Sequence, residues 1–216
     1  MTIDLNRRDV LQASLAGAVS IAMPAMAQSN FPSRPIKLIC PWPAGGSTDA
    51  VMRAIAESAS RILNNPVITE NKGGAGGMLG PNELVSAKPD GYTLLTGNVG
   101  TQSINPTLYK KLNYNPDTSF APIGLFAELP FVLAVTPSLP ANSVKELVAL
   151  AKASPDKLTY ASSGNGGSPH LSAETFKIAT GTQILHIPYK GGGAAMTDLM
   201  SGNVNMIFSS VLETSA

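Results

Sequence analysis

The chain has 216 residues, of which 44% are hydrophobic and only 13% charged, with 15 Lys and Arg against 14 Asp and Glu. A net charge of +1 leaves no basic excess to attract nucleic acid and no acidic field to attract cations, while the hydrophobic share suffices to bury a core. The single cysteine, Cys40, excludes an intrachain disulfide and a Cys-x-x-Cys motif, and His170 and His186 are too few for a zinc site without carboxylates.

Residues 1–27 read as an export signal. Arg7 and Arg8 form a positive start, a mildly apolar stretch runs from Val10 to Met23, and Ala25 and Ala27 flank Met26 as a small-residue cleavage pattern. The stretch is shorter than the roughly 20 apolar residues of a membrane span. The adjacent arginines resemble a twin-arginine signal, with an ordinary secretory signal as the alternative. Either route places the mature start near Gln28 and the protein outside the cytoplasm. The later chain offers no stretch for stable membrane insertion.

Short apolar runs then alternate with helical patterns, which predicts an α/β fold. Ile36–Cys40 is a strand, followed by a glycine loop and a helix carrying Val51, Ile55, Ala59 and Ile62. Val67–Thr69 is a second strand, Gly73–Gly80 a glycine loop, Asn82–Ala87 a short helix and Tyr92–Thr96 a third strand after the Pro89-Asp90-Gly91 turn. Residues 98–122 read as irregular. Phe131–Val135, Leu158–Ala161, Ile184–Ile187 and Val204–Phe208 are further strands, with helices near 169–179 and 194–201 between them. Ser143-x-x-Glu146 is a capping-box pattern opening a helix that stops at Ser154-Pro155. A boundary near residue 127 divides two lobes, 28–126 and 127–216.

Three helices begin at glycine loops that each follow a strand: Gly45-Gly46-Ser47-Thr48, Gly164-Asn165-Gly166-Gly167-Ser168 and Gly191-Gly192-Gly193. Free N–H groups and the positive dipole end at a helix start favour a carboxylate or phosphate, and glycine lets the backbone approach it. Any one such loop is commonly a tight turn; three from two lobes could grip an anion from both sides. Nucleotide readings are weaker, because no Walker pattern is present and the spacing within Gly73–Gly80 lacks its acidic partner. Ser168 and His170 lie too close in sequence for a nucleophile–base pair, and no G-x-S-x-G occurs. His170 reads as a structural hydrogen-bonding residue and His186 as a strand residue. Asp49 and Asp198 read as helix-start carboxylates, with Asp49 alternatively orienting a ligand. Trp42 is a cleft wall or a loop cover, and Cys40 an inert buried residue.

The loops also form an ordered set: Pro41–Asp49, Glu70–Gly77, Pro89–Leu94, Asn105–Tyr109, Tyr160–Gly166, His170-Leu171 and Pro188–Gly193. Together they resemble the Bug family, the extracytoplasmic solute-binding receptors of tripartite tricarboxylate transporters. The resemblance implies a two-lobed Venus-flytrap fold of the periplasmic-binding-protein type. It also implies a periplasmic location, a small carboxylate ligand, membrane transporter subunits as partners, and no enzymatic activity, metal or cofactor. The implied ligand-binding residues are Trp42, Ala44, Gly45, Gly46, Ser47, Thr48 and Asp49 in the first loop. In the second they are Ser163, Gly164, Asn165, Gly166, Gly167, Ser168 and His170, with Lys190, Gly191 and Gly192 in the third. Trp42 stands where the family usually has Phe. The family chain is normally about a hundred residues longer and returns to complete the first lobe, so the resemblance implies an incomplete first lobe here, with Thr214-Ser215-Ala216 departing from the family pattern. An exported hydrolase of carboxylate esters or amides, or a nonfunctional fragment, are the rival readings.

Overall fold

The computed structural model describes residues 31–215, and from Arg34 onward these form one compact unit. The expected export signal lies outside the described residues. Two sheets organise the chain. The first has three parallel strands in the order β2-β1-β3, with β1 Ile36–Cys40, β2 Val67–Asn71 and β3 Thr93–Leu95. β2 runs two residues past its apolar signal. Glu70 and Asn71 stay in register with Ile39 and Cys40; Glu70 ion-pairs with Lys37 and Lys72, and Asn71 hydrogen-bonds the buried Asp49.

Helix α1, Ser47–Leu63, begins at Gly46 and ends at Asn64, whose left-handed φ of 47° closes the last turn. Its buried stripe is Asp49, Met52 and Ala56. The apolar series at helical spacing sits one residue off that stripe: Val51, Ile55 and Ala59 are half-buried, and Ile62 is 83% exposed. Helix α2, Leu79–Ser86, lies against β1 and β3, and Gly80 approaches Ile39 and Leu95 closely. The stretch expected to be irregular contains a wide turn, Gly100–Ile104, running into the short helix α3, Asn105–Leu108. Pro106 and the asparagines read as loop residues, but a proline in the first turn of a helix costs no hydrogen bond. The Tyr114 hydroxyl donates to Thr101 O at 2.6 Å and Asn105 Nδ2 to Gly76 O at 2.9 Å, anchoring this segment.

The second sheet has the order β4-β7-β5-β6: β4 Phe131–Val135, β5 Thr159–Ser162, β6 Leu185–Pro188 and β7 Met206–Ser210. β5 runs parallel to β6 and β7, while β4 is antiparallel to β7. Alternation along the strands sends side chains to opposite faces. Tyr160 and Met206 join Leu147 and Ala151 of α4, Val144–Ala153, and Ala173 of α5, Ser168–Thr180, in one core. Ala161 and Ile207 join Ala195 and Leu199 of α6, Gly192–Met200, in a second. Ser143 caps α4 as expected, accepting from Glu146 N at 3.2 Å, but the Glu146 carboxylate takes the Asn142 N–H at 2.7 Å. β7 continues two residues beyond its apolar run through Ser209 and Ser210, because the register with Phe131 and Val132 continues, and then turns into α7, Val211–Thr214.

Candidate functional site

All three glycine loops leave the C-terminal ends of parallel strands: the first follows β1, the second β5 and the third β6. Open α/β sheets present ligand sites at such ends. The N-cap residues of α1, α5 and α6 are Gly46, Gly167 and Gly191, and none of these helices has a side-chain cap. Their first-turn N–H groups are therefore not satisfied by their own caps, unlike those of α4. The loops meet. A Cβ on Gly191, at φ 110°, would press on Pro43 Cγ at 3.2 Å, and one on Gly166, at φ 75°, would collide with Leu108 Cδ2. Only glycine permits both the dihedrals and these approaches.

A cavity of about 1670 Å³ opens here. Of the expected residues, Trp42, Gly46, Ser47, Thr48, Ser163, Ser168, Gly191 and Gly192 line it, joined by Pro43, Pro169, Ser209, Ser210 and Glu213. Ala44, Gly45, Asp49, Gly164, Asn165, Gly166, Gly167, His170 and Lys190 are not in its wall. The volume exceeds the roughly 300–1,000 Å³ of typical ligand pockets. It does so because the cleft continues over the first sheet, past Leu38, Val51, Ile55 and Leu94, beneath the extended segment at 116–129.

The residues behind the wall hold the loops in shape. Asp49 is buried and accepts from Gly45 N at 3.0 Å, Arg53 Nε at 3.0 Å and Asn71 Nδ2 at 2.8 Å. Burial alone would raise its pKa, but these hydrogen bonds outweigh it and hold the carboxyl below its ordinary value. Asn71 Nδ2 also reaches Trp42 O at 3.1 Å, so the network fixes both ends of the first loop. Trp42 fills both expected roles, lining the cavity and lying where a Cβ on Gly77 would touch it at 3.3 Å. Cys40 is fully buried, and burial pushes its thiol up.

In the second loop, Gly166 N donates to His170 Nδ1 at 3.1 Å. The His170 ring stacks on His186 at 4.2 Å, and His186 stacks on Tyr160 at 4.7 Å. Burial, reinforced by the neighbouring His170, lowers His186 to about 4, and burial lowers His170 as well. Both imidazoles are thus neutral near pH 7, as the acceptor role of His170 requires. Ser162 Oγ lies 2.6 Å from His186 Nε2 and donates to Gly164 O at 3.2 Å. The pair has the spacing of a nucleophile and base, but Ser162 is fully buried and neither residue lines the cavity, so the pair braces the loop. Asp198 lies toward the end of α6, not at its start, where it accepts from the Tyr189 hydroxyl at 2.6 Å and Asn203 Nδ2 at 3.1 Å. Burial and then this carboxylate push the Tyr189 phenol up to about 12.

Sequence reasoning missed Glu213 and Ser209. The usable signal was a second Ser-x-x-Glu pattern, Ser210–Glu213, at the end of a strand parallel to β5. Among the described residues, no group of three or more His, Cys, Asp or Glu side chains is placed to hold a metal ion, and no helix is long and apolar enough to cross a membrane.

Two strand–glycine loop–helix sheets facing one cleft, with uncapped helix starts in its wall, define an α/β fold of the periplasmic-binding-protein type. The sequence profile of the tripartite tricarboxylate transporter family receptor matches residues 51–216, and the chain belongs to that family. It is 41% identical to a Cupriavidus necator protein, the UPF0065 protein in the gbd 5' region, over 92% of this chain and 62% of that one. It is 36% identical to protein BugT of Bordetella pertussis, over 85% of this chain and 56% of BugT. Among solved structures, the periplasmic binding protein BugD matches with a TM-score of 0.81 and 40% identity, over 86% of this chain and 62% of BugD. A Rhodopseudomonas palustris protein solved with adipate matches with a TM-score of 0.83 and 34% identity, over 85% and 62% of the two chains. MatC from the same organism, solved with bound malate, matches with a TM-score of 0.79 and 31% identity, over the same shares. The chain thus spans about 62% of the length of these solved structures.

Proposed function

We propose that the protein is the periplasmic receptor of a tripartite tricarboxylate transporter and that its glycine-loop cleft binds a small organic carboxylate for delivery to the membrane subunits. The observation that carries this reading is the convergence of the α1, α5 and α6 starts, all without side-chain caps, on one cavity. Backbone N–H groups and aligned dipoles there offer what an ionised carboxylate accepts. The adipate and malate in two solved neighbours support the ligand class. In this reading residues 1–27 direct export, 28–126 and 127–216 act as two lobes, and the ligand is gripped where their loops meet. The first-loop side chains in the wall and Ser163, Ser168 and Gly192 contact the ligand. Asp49 and His170 position the loops from behind.

The test is calorimetry with an acid and its amide. Amidation removes the charge and leaves the N–H donors mispaired, and should weaken binding by about 2–4 kcal/mol. Equal affinities for acid and amide would exclude the reading.

A further inference from the structure

Among the described residues, Glu213 is the one charged side chain that lines the glycine-loop end of the cavity. The other charged residues in the wall, Lys88, Asp117 and Glu128, belong to the turn after α2 and to the extended segment over the first sheet. The Ser210-x-x-Glu213 pattern would have Glu213 fold its carboxylate back onto its own helix start. Ser210 does accept from Glu213 N at 3.3 Å, but the carboxylate points elsewhere. Its Oε2 accepts the Ser209 hydroxyl, and its Oε1 lies over the starts of two other helices. A Cβ on Gly192 would fall 2.5 Å from the Glu213 carboxyl carbon, and one on Gly46 would stand 3.5 Å from Oε1. A carboxylate of the chain itself is thus wedged between the starts of α1 and α6.

This arrangement divides the cleft. Two of the three helix starts, those of α1 and α6, already have this carboxylate beside them. The start of α5 remains, with Gly167 as an uncapped N-cap and Ser163 and Ser168 in the cavity wall. A ligand carboxylate seated there leaves the rest of the ligand facing Glu213. A second carboxylate would meet repulsion, since among the described residues no cation lines the cavity at that end, whereas an ammonium group would find a partner.

Resting on the carboxylate reading above, we infer that Glu213 is a specificity-determining residue that selects a ligand with one carboxylate and an ammonium group and rejects dicarboxylates. Like charges about 5 Å apart at an intermediate effective dielectric change affinity on the order of tenfold.

The experiment is calorimetry at low salt on the wild-type protein, Glu213→Gln and Glu213→Ala. The probes are matched pairs: succinate with 3-aminopropanoate, and adipate with 6-aminohexanoate. Wild type should favour the amino acid of each pair on the order of tenfold. Both variants should lose that preference, chiefly by binding the dicarboxylate more tightly. The glutamine variant keeps the side-chain shape and an acceptor for Ser209; the alanine variant removes the side chain while leaving Ser210 its backbone partner. A wild-type preference for the dicarboxylates, or a preference unchanged in the variants, overturns the inference while leaving carboxylate binding intact. Failure of all three proteins to bind any of the four acids removes the carboxylate reading and Glu213 selectivity with it.

Discussion

Around the four-stranded sheet, both faces of the central strands are sealed: Tyr160 and Met206 on one side, Ala161 and Ile207 on the other, are at most 1% exposed. Around the three-stranded sheet, Ile36 and Ile39 are buried, but Leu38 and the whole of β3 are only half-buried and border the cavity. The two regions repeat the same strand–glycine loop–helix unit. The difference teaches that the unit supplies a ligand-facing helix start whether or not its sheet is covered, provided something else fixes the loop. In the covered region, a packed core and the Tyr160–His186–His170 stack do this. In the open region, the polar network of Asp49, Arg53 and Asn71 does it.

The comparison breaks first on core truncation. Leu147→Ala in the covered region should cost about 3–4 kcal/mol, as expected for emptying a filled site. Met52 is also fully buried, but it borders the cavity and belongs to neither buried hydrophobic cluster of the four-stranded region. Met52→Ala should therefore cost about 2 kcal/mol, the low end for such a truncation. Urea unfolding of both variants decides the matter, and equal losses would mean that the two regions are packed alike.

Asp49→Ala should cost about 2–3 kcal/mol, because it strands the Gly45 N–H and leaves Arg53 and Asn71 without their buried acceptor. It should disorder the first loop alone. Hydrogen exchange that rises at Gly45 and Gly46 and stays unchanged at Gly166 would confirm separate anchoring; a rise in both loops would deny it.

The histidine stack gives the covered region a pH dependence. His186 titrates in the folded protein near 4, below its ordinary 6.5, because of burial and the adjacent His170. The unfolded chain therefore takes up the proton first. The stability that comes from keeping the ring neutral is complete above pH 6.5 and is lost as pH falls toward 4. His186→Asn should flatten this slope in denaturation profiles between those pH values. An unchanged slope would place the acid sensitivity elsewhere.

The smallest effect belongs to the exposed apolar segment of the open region. Ile123 and Leu125 are 84% and 80% exposed, so changing both to Ser should shift stability by less than about 0.5 kcal/mol. Light scattering should show less self-association of the variant, since contiguous exposed apolar groups are adhesive. A loss of several kcal/mol would show these residues to be part of a core.

The same division governs what could be read from sequence. Strands of the covered sheet announce themselves by apolar runs, and the glycine loops by composition. The strand-end residues Glu70, Asn71, Ser209 and Ser210 were missed because pairing carries a strand past its apolar signal. The buried stripe of α1 does not follow its apolar spacing, because Val51, Ile55 and Ala59 form an apolar series on the cavity side while Asp49 and Met52 are buried. Loop positions in the cavity wall were legible from glycine and serine. Glu213 was not, since its place depends on β7 running parallel to β5 and delivering Glu213 between the first and third loops.

The most direct measurement is a carboxylate titration followed by amide resonances of the isotope-labelled protein. The account predicts saturable shifts concentrated at the loop N–H groups of Ser163–Ser168 and of Gly46–Thr48, with the far side of the four-stranded region unaffected. Saturable shifts confined to residues outside the three glycine loops, or the same pattern produced by the uncharged amide, would contradict it.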